Sequence, residues 1–377
     1  MAAGFLEMRV LYTFRSLAIW GGIERILVDK MNHLVTMYGD EVYMLTTDQG
    51  EHPVVYPLSD AVHLEDLDIR FHQQYRYPVW QRPFQAMRLR RLFEQRLAER
   101  IAQIQPDVIV CTAVDPVHSI AKVKGSVPLI VESHSICIRT FGEKGLWQRN
   151  IARLLRKGLK RAACVVALTE GDAAEWRKIH HDVRVIPDMV HLGCPSDEAA
   201  VCKRVIFVGR LDYQKRVMDI IDIWQRVHPH FPDWQLDIYG EGEQRAEAKR
   251  AACALNMNIN VHQPTQRIFD RYRESAFLVS VSLFEPFGMV MPEAMSCGLP
   301  VIAYDCPYGP ADIITDGVDG FLISQDDKQA FADKMCRLMA DKNLRRQMGK
   351  AAALSAERYS AERIMPQWKQ LFEEIIH

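Results

Sequence analysis

The feature that most constrains this chain is an alternation. Short runs of β-branched and other apolar residues recur, each followed by a longer stretch with helical spacing. In the first half the runs are Arg9–Phe14, Val42–Thr46, Asp107–Cys111, Pro128–Glu132, Cys164–Leu168 and Val183–Ile186. In the second half they are Arg204–Val208, Gln235–Tyr239, Asn258–His262, Phe277–Leu283, Pro300–Tyr304 and the short Phe321–Ser324. Strands this apolar fit burial on both faces, as in a parallel sheet covered by helices. Strand–helix–strand alternation then implies right-handed crossovers and an α/β fold. Two such series in 377 residues predict two doubly wound domains. Cys194–Ala200, with its Pro, acids and small residues, marks the hinge. Ala361–Ile376 reads as a separate amphipathic helix opened by Ser360.

Composition excludes several classes. With 48% hydrophobic and 25% charged residues the chain is ordinary globular protein, not disordered. A net charge of -1 leaves no general basic field for nucleic acid. Nine cysteines without a CxxC pair, and thirteen histidines without HExxH, give neither a disulfide framework nor a zinc site. The thiols fit a reduced, cytoplasmic protein. The opening MAAGFLEMRV lacks the pattern of a signal peptide, and no apolar run is long enough to span a bilayer.

Ligands of open parallel sheets sit beyond the carboxyl ends of the strands, so the loops there carry the chemistry. The richest is Leu283–Val301, LFEPFGMVMPEAMSCGLPV. Gly288 lies just before a helix with Pro292 in its first turn, so a ligand can approach the backbone closely and the exposed N–H groups of the helix start suit anionic oxygens. Glu285 and Glu293 can accept hydrogen bonds from sugar hydroxyls; alternatively Glu293 complements the helix dipole and Glu285 is solvated. Phe207–Arg216, FVGRLDYQKR, offers Arg210 and Lys215, two cations suited to a diphosphate, or else a solvated basic loop. Gly21–Gly22 opens a helix after the first strand, where a plain turn competes with a phosphate site. His134, in VESHS, offers a hydrogen bond or a proton, or is a satisfied loop residue. YGEGE (Tyr239–Glu243) lacks the third glycine of a dinucleotide motif and reads as a tight turn. Asp66-Leu67-Asp68 has the DxD form but lies in a loop-like acidic stretch, so we read it as solvated surface and assign no metal site.

Taken in order, these segments resemble family 4 of the retaining glycosyltransferases, which have the GT-B fold. The resemblance rests on EPFGMVMPE, GRLDYQKR, YGEGEQR, VESH and GPADIITDGVDGFLI, and covers most of the chain. It implies two Rossmann-like domains facing across a cleft. An acceptor-binding domain would span 8–195 and a nucleotide-sugar-binding domain 201–358. The segment 359–377 would cross back onto the first domain. By resemblance Arg210 and Lys215 hold the donor diphosphate, Glu293 the ribose, and Glu285 the sugar near its reacting carbon. Gly288, Met289 and Val290 touch phosphates or sugar, Gly22 closes on the diphosphate, and His134 lies near the anomeric centre. The implied reaction is retaining, metal-independent transfer of a hexosyl unit from a nucleotide sugar, UDP-linked by family precedent. The acceptor would be a glycan or lipid-linked molecule of cell-envelope or capsular polysaccharide, and no cofactor is needed. A sugar-nucleotide epimerase and a non-catalytic sugar-nucleotide-binding protein are the alternatives. Asp188, where the family often has Asn, and Gln263–Thr265, which lacks a usual Gly, depart from the pattern.

Two segments of the first domain are basic and amphipathic. Lys144–Arg161 has seven cations and no acid, and Arg76–Arg100 is arginine-rich with Tyr77, Trp80 and Phe84. Such faces suit either the inner, anionic surface of a membrane or plain solvent.

Overall fold

The computed structural model describes residues 6–114, 116–141, 146–195 and 201–377. The chain divides into two compact units: Met1–Pro187 with Ile364–His377, and Asp188–Arg363. The change of unit falls at Pro187, ahead of the expected hinge at Cys194–Ala200. The reason is local. Val190 N–H donates to Tyr359 O (2.9 Å), and Gly193 N–H donates to Ser296 Oγ (2.8 Å), so this stretch is tied into the second unit. Residues 196–200 lie outside the described residues.

The first unit carries a seven-stranded sheet: β1 (Arg9–Phe14), β2 (Glu41–Thr46), β3 (His63–Asp66), β4 (Val108–Cys111), β5 (Leu129–Glu132), β6 (Cys164–Ala167) and β7 (Val183–Val185). Its order is β3-β2-β1-β4-β5-β6-β7, parallel throughout. The second unit carries six: β8 (Arg204–Val208), β9 (Gln235–Tyr239), β10 (Ile259–His262), β11 (Phe277–Ser280), β12 (Val301–Asp305) and β13 (Gly320–Ser324). Their order is β10-β9-β8-β11-β12-β13, again all parallel. Both sheets reverse direction of growth beside their first strand, so each has a switch point there, β1/β4 and β8/β11.

Strand alternation sends the two faces of the first sheet to different partners. Leu129 and Val131 of β5 join a buried cluster with Phe93, Leu97, Ile120 and Leu159 from the helices Arg82–Ile104, Val117–Val123 and Leu146–Leu159. Glu132, on the other face, meets Lys30 of the helix Gly22–His33 at 2.7 Å. The terminal helix Ala361–Ile376 also packs into this unit. Its Trp368 ring lies 3.4 Å from Lys30 Nζ, and Lys369 Nζ lies 2.6 Å from Asp40 Oδ1 with both side chains fully buried. In the second unit Phe207, Ile220, Trp224, Phe277, Ile302 and Phe331 belong to the core.

One strand escapes the sequence. β3 is a half-buried edge strand, HLED, and an edge strand with one face to solvent needs little apolar sequence. The acidic stretch is therefore not a loop. Asp66 accepts hydrogen bonds from Thr46 Oγ1 (3.1 Å) and Gly50 N–H (2.7 Å), and Asp68 pairs with Arg70. The DxD carboxylates serve local structure.

Candidate functional site

The β8/β11 switch point gathers the loops Gly209–Arg216 and Val281–Met289. Lys215 Nζ lies 2.5 Å from Glu285 Oε1, with 14% and 4% of their side chains exposed. Ser282 Oγ donates to the same carboxylate oxygen at 2.6 Å. The Glu285 backbone is fixed on both sides: its N–H donates to Pro307 O (2.7 Å), and its carbonyl accepts from the N–H groups of Tyr308 and Gly309 (both 2.9 Å). Gln214 joins the two loops, with Nε2 donating to Phe284 O (3.1 Å) and its carbonyl accepting from Leu283 N–H (2.8 Å). Lys215 N–H donates to Asp212 Oδ1 (3.0 Å). Thus an ammonium and a carboxylate are held together on two rigid loops at a strand terminus.

Arg210 is placed differently. Its side chain is 67% exposed and turns to Asp212 Oδ2 (3.1 Å) and Gln214 Oε1 (2.8 Å), not to Glu285. It remains in the same loop with a guanidinium free to swing. Gly288 has φ +100°, a conformation that suits glycine, and leads into Met289 and the helix Val290–Ser296. Glu293 sits in that helix's first turn, 4% exposed, and accepts from Tyr272 OH at 3.3 Å. It is a buried, hydrogen-bonded carboxylate.

YGEGE is a turn, and it has a task. A Cβ on Gly240 would stand 1.9 Å from Gly209 O. Leu211 N–H donates to Glu241 O (2.8 Å), and Gln244 N–H donates to Leu211 O (2.9 Å). The glycines let this turn lie directly against the loop that carries Arg210 and Lys215.

The remaining candidates are in the first unit. His134 Nε2 lies 3.3 Å from Glu132 Oε1, with 4% and 1% of the side chains exposed. Burial alone would raise the Glu132 carboxyl, but Lys30 and His134 outweigh it and bring it to about 2. Glu132 is therefore an anion with two cationic or potentially cationic neighbours. Gly22 is the first residue of the helix Gly22–His33, and the Glu24 carboxylate folds back over the adjacent Gly21. Burial raises the Glu24 carboxyl, against a smaller lowering by its own backbone N–H and by His134.

Sequence reading missed Ser282, Gln214, Lys30 and Tyr272. All are ordinary residues in the sequence, and only the fold brings them to Glu285, the two loops, Glu132 and Glu293. The GRLDYQKR spacing did carry a signal for Asp212, because an acid between two cations must pair with one of them.

Two parallel Rossmann-like sheets in one chain are the architecture of the GT-B glycosyltransferases. TarM of Staphylococcus aureus, solved with UDP, α-GlcNAc-glycerol and fondaparinux, shares this fold: TM-score 0.78, 14% identity, covering 97% of this chain and 99% of that one. So does HepE of Anabaena, solved with UDP and glucose: TM-score 0.75, 19% identity, covering 98% and 100%. Residues 20–193 match Glycosyltransferase Family 4, and residues 201–355 match Glycosyl transferases group 1. The chain belongs to glycosyltransferase family 4. Among curated relatives, the amylovoran biosynthesis glycosyltransferase AmsD of Erwinia amylovora is 35% identical over 170 residues, 45% of this chain and 47% of AmsD. The matched stretch thus spans about half the length of that relative.

Proposed function

We propose that the chain transfers a hexosyl unit from a nucleotide sugar, UDP-linked, to a glycan or lipid-linked acceptor of a cell-envelope or capsular polysaccharide, with retention and without a metal. The observation that carries this reading is the Lys215–Glu285 pair beside Arg210 and Gly288 at one switch point. The UDP in the TarM and HepE structures and the biosynthetic glycosyltransferase of AmsD's name favour the same donor and reaction class.

The second unit takes the donor and the first takes the acceptor. Glycosyl transfer passes through an oxocarbenium-like state while negative charge grows on the departing diphosphate. Lys215 supplies fixed positive charge to that leaving group, Arg210 swings from Asp212 and Gln214 to add a second cation, and N–H groups at Gly288–Val290 add dipoles. Glu285, held by Ser282, accepts from sugar hydroxyls beside the reacting carbon. Glu293 accepts from the ribose. In the first unit Gly22 and His134 keep the roles that the resemblance gives them, a diphosphate contact and a sugar contact. Because two side-chain cations already neutralise the leaving group, EDTA leaves the reaction unchanged.

The test is product analysis with UDP-hexoses and candidate acceptors. A glycosylated acceptor together with free UDP supports the reading. Interconversion of the donor sugar without any acceptor would instead make the protein an epimerase.

A further inference from the structure

The two basic segments lie far apart in sequence, yet the fold brings their helices together in the first unit. The helix Arg82–Ile104 packs against Val117–Val123, which packs against Leu146–Leu159. Arg90 and Lys157, from the outer two helices, both act on His118 of the middle one. Burial first, then Arg90, Lys122 and Lys157 lower the imidazole, opposed by Glu94. Basic side chains from three neighbouring helices therefore lie near one another around His118, with Glu94 among them.

This face is also apolar at one end. Tyr75–Trp80 is exposed residue by residue, with Val79 72% and Trp80 71% accessible, and Phe84 follows at 65%. Phe84, Met87, Arg88 and Arg91 share a stripe at helical spacing, all exposed. No acidic residue occurs between Asp68 and Glu94, while six arginines do. Among the described residues, Arg76, Arg88, Arg90 and Arg91 have no carboxylate partner. Large aromatics exposed together are costly in water, and clustered with arginines they mark an interaction surface.

We propose that this face docks on an anionic phospholipid bilayer, Trp80 and Phe84 entering the headgroup layer while the arginines rest on lipid phosphates. Amphipathic aromatic rings are stable at that depth. Guanidinium groups can bind phosphate bidentately, and a basic apolar-faced surface lies in the interface plane without spanning it. No described helix is long and apolar enough to cross a membrane. None of the sugar-nucleotide residues belongs to this surface, so the inference does not rest on their assignment.

The test is co-sedimentation of the full chain with vesicles of phosphatidylcholine, with and without phosphatidylglycerol, at low and high salt. Binding only to the phosphatidylglycerol vesicles, weakened by salt, is expected. Arg88→Gln/Arg90→Gln/Arg91→Gln should weaken it roughly fivefold per arginine, on the order of a hundredfold in all. Trp80→Ser/Phe84→Ser should weaken it roughly tenfold or more while leaving its salt dependence unchanged. Stabilisation of each variant by UDP, compared with wild type, reports on the donor site separately. Equal binding to neutral vesicles, or wild-type-like binding by the arginine variant, would overturn the proposal. So would capture of a soluble polyanion such as RNA with no binding to vesicles.

Discussion

Lys215 Nζ and Glu285 Oε1 stand 2.5 Å apart across 70 residues of sequence, and both side chains are largely buried. The β8/β11 switch point alone brings them together. Each therefore stabilises the other, besides any contact with substrate. Lys215→Ala leaves a buried carboxylate without its cation and should cost about 3–5 kcal/mol of stability. Its loss of turnover will be mixed with that instability. Arg210→Ala separates the two effects. The exposed guanidinium contributes little to folding, so the melting temperature should stay near wild type while turnover falls about 100- to 1000-fold. Steady-state kinetics with a melting curve on each variant checks this; unchanged turnover for Arg210→Ala would remove its role.

The turn at Gly240 predicts an effect at a distance. Gly240→Ala places a Cβ against the Gly209 carbonyl and must displace the loop bearing Arg210 and Lys215. In Gly209→Ala the added Cβ has the flexible Lys215 side chain nearest to it, at 3.4 Å. We expect the first to weaken nucleotide binding strongly and the second much less. Calorimetric titration of UDP into both variants tests the order.

Glu132 predicts an acid-side loss of stability in the first unit. Its folded carboxyl is near 2, below the ordinary value of 4.5, because Lys30 and His134 outweigh burial. The contribution is fully present above about pH 4.5 and is lost as pH falls through about 2; the lowered pKa makes the unfolded chain bind the proton first. Urea unfolding of wild type and Glu132→Gln across this range should converge toward low pH. Parallel curves would contradict the account.

The terminal helix is pinned by Lys369 on Asp40, a fully buried pair. Lys369→Met should cost about 3–5 kcal/mol, lowering the melting temperature of the first unit by several degrees. Asp40→Asn/Lys369→Met removes the stranded charge and should recover part of that loss. A double variant less stable than Lys369→Met alone would contradict this.

Much of this architecture is legible in the sequence because parallel strands buried on both faces must be nearly all apolar. Twelve runs were read, and each holds a strand. β3 was not legible, since an edge strand such as His63–Asp66 can be polar. The loops carrying Arg210, Lys215, Glu285 and Gly288 were found because strand ends locate them. Their partners were not: Ser282 and Gln214 have meaning only through contacts set by the fold. Nothing in the sequence sets Lys30 apart from a solvated cation, yet it is buried between Glu132 and Trp368. The change of unit at Pro187 was hidden for a similar reason, because the hydrogen bonds of Val190 and Gly193 leave no trace in composition.

The most direct test of the central claim is thermal unfolding with UDP, GDP or ADP, with and without EDTA, on wild type and Arg210→Ala. UDP at about 100 times its dissociation constant should add about 2.7 kcal/mol to the folded state. The account predicts selective stabilisation by UDP, unchanged by EDTA and much reduced in Arg210→Ala. No stabilisation by any nucleotide, or stabilisation that EDTA abolishes, would contradict it.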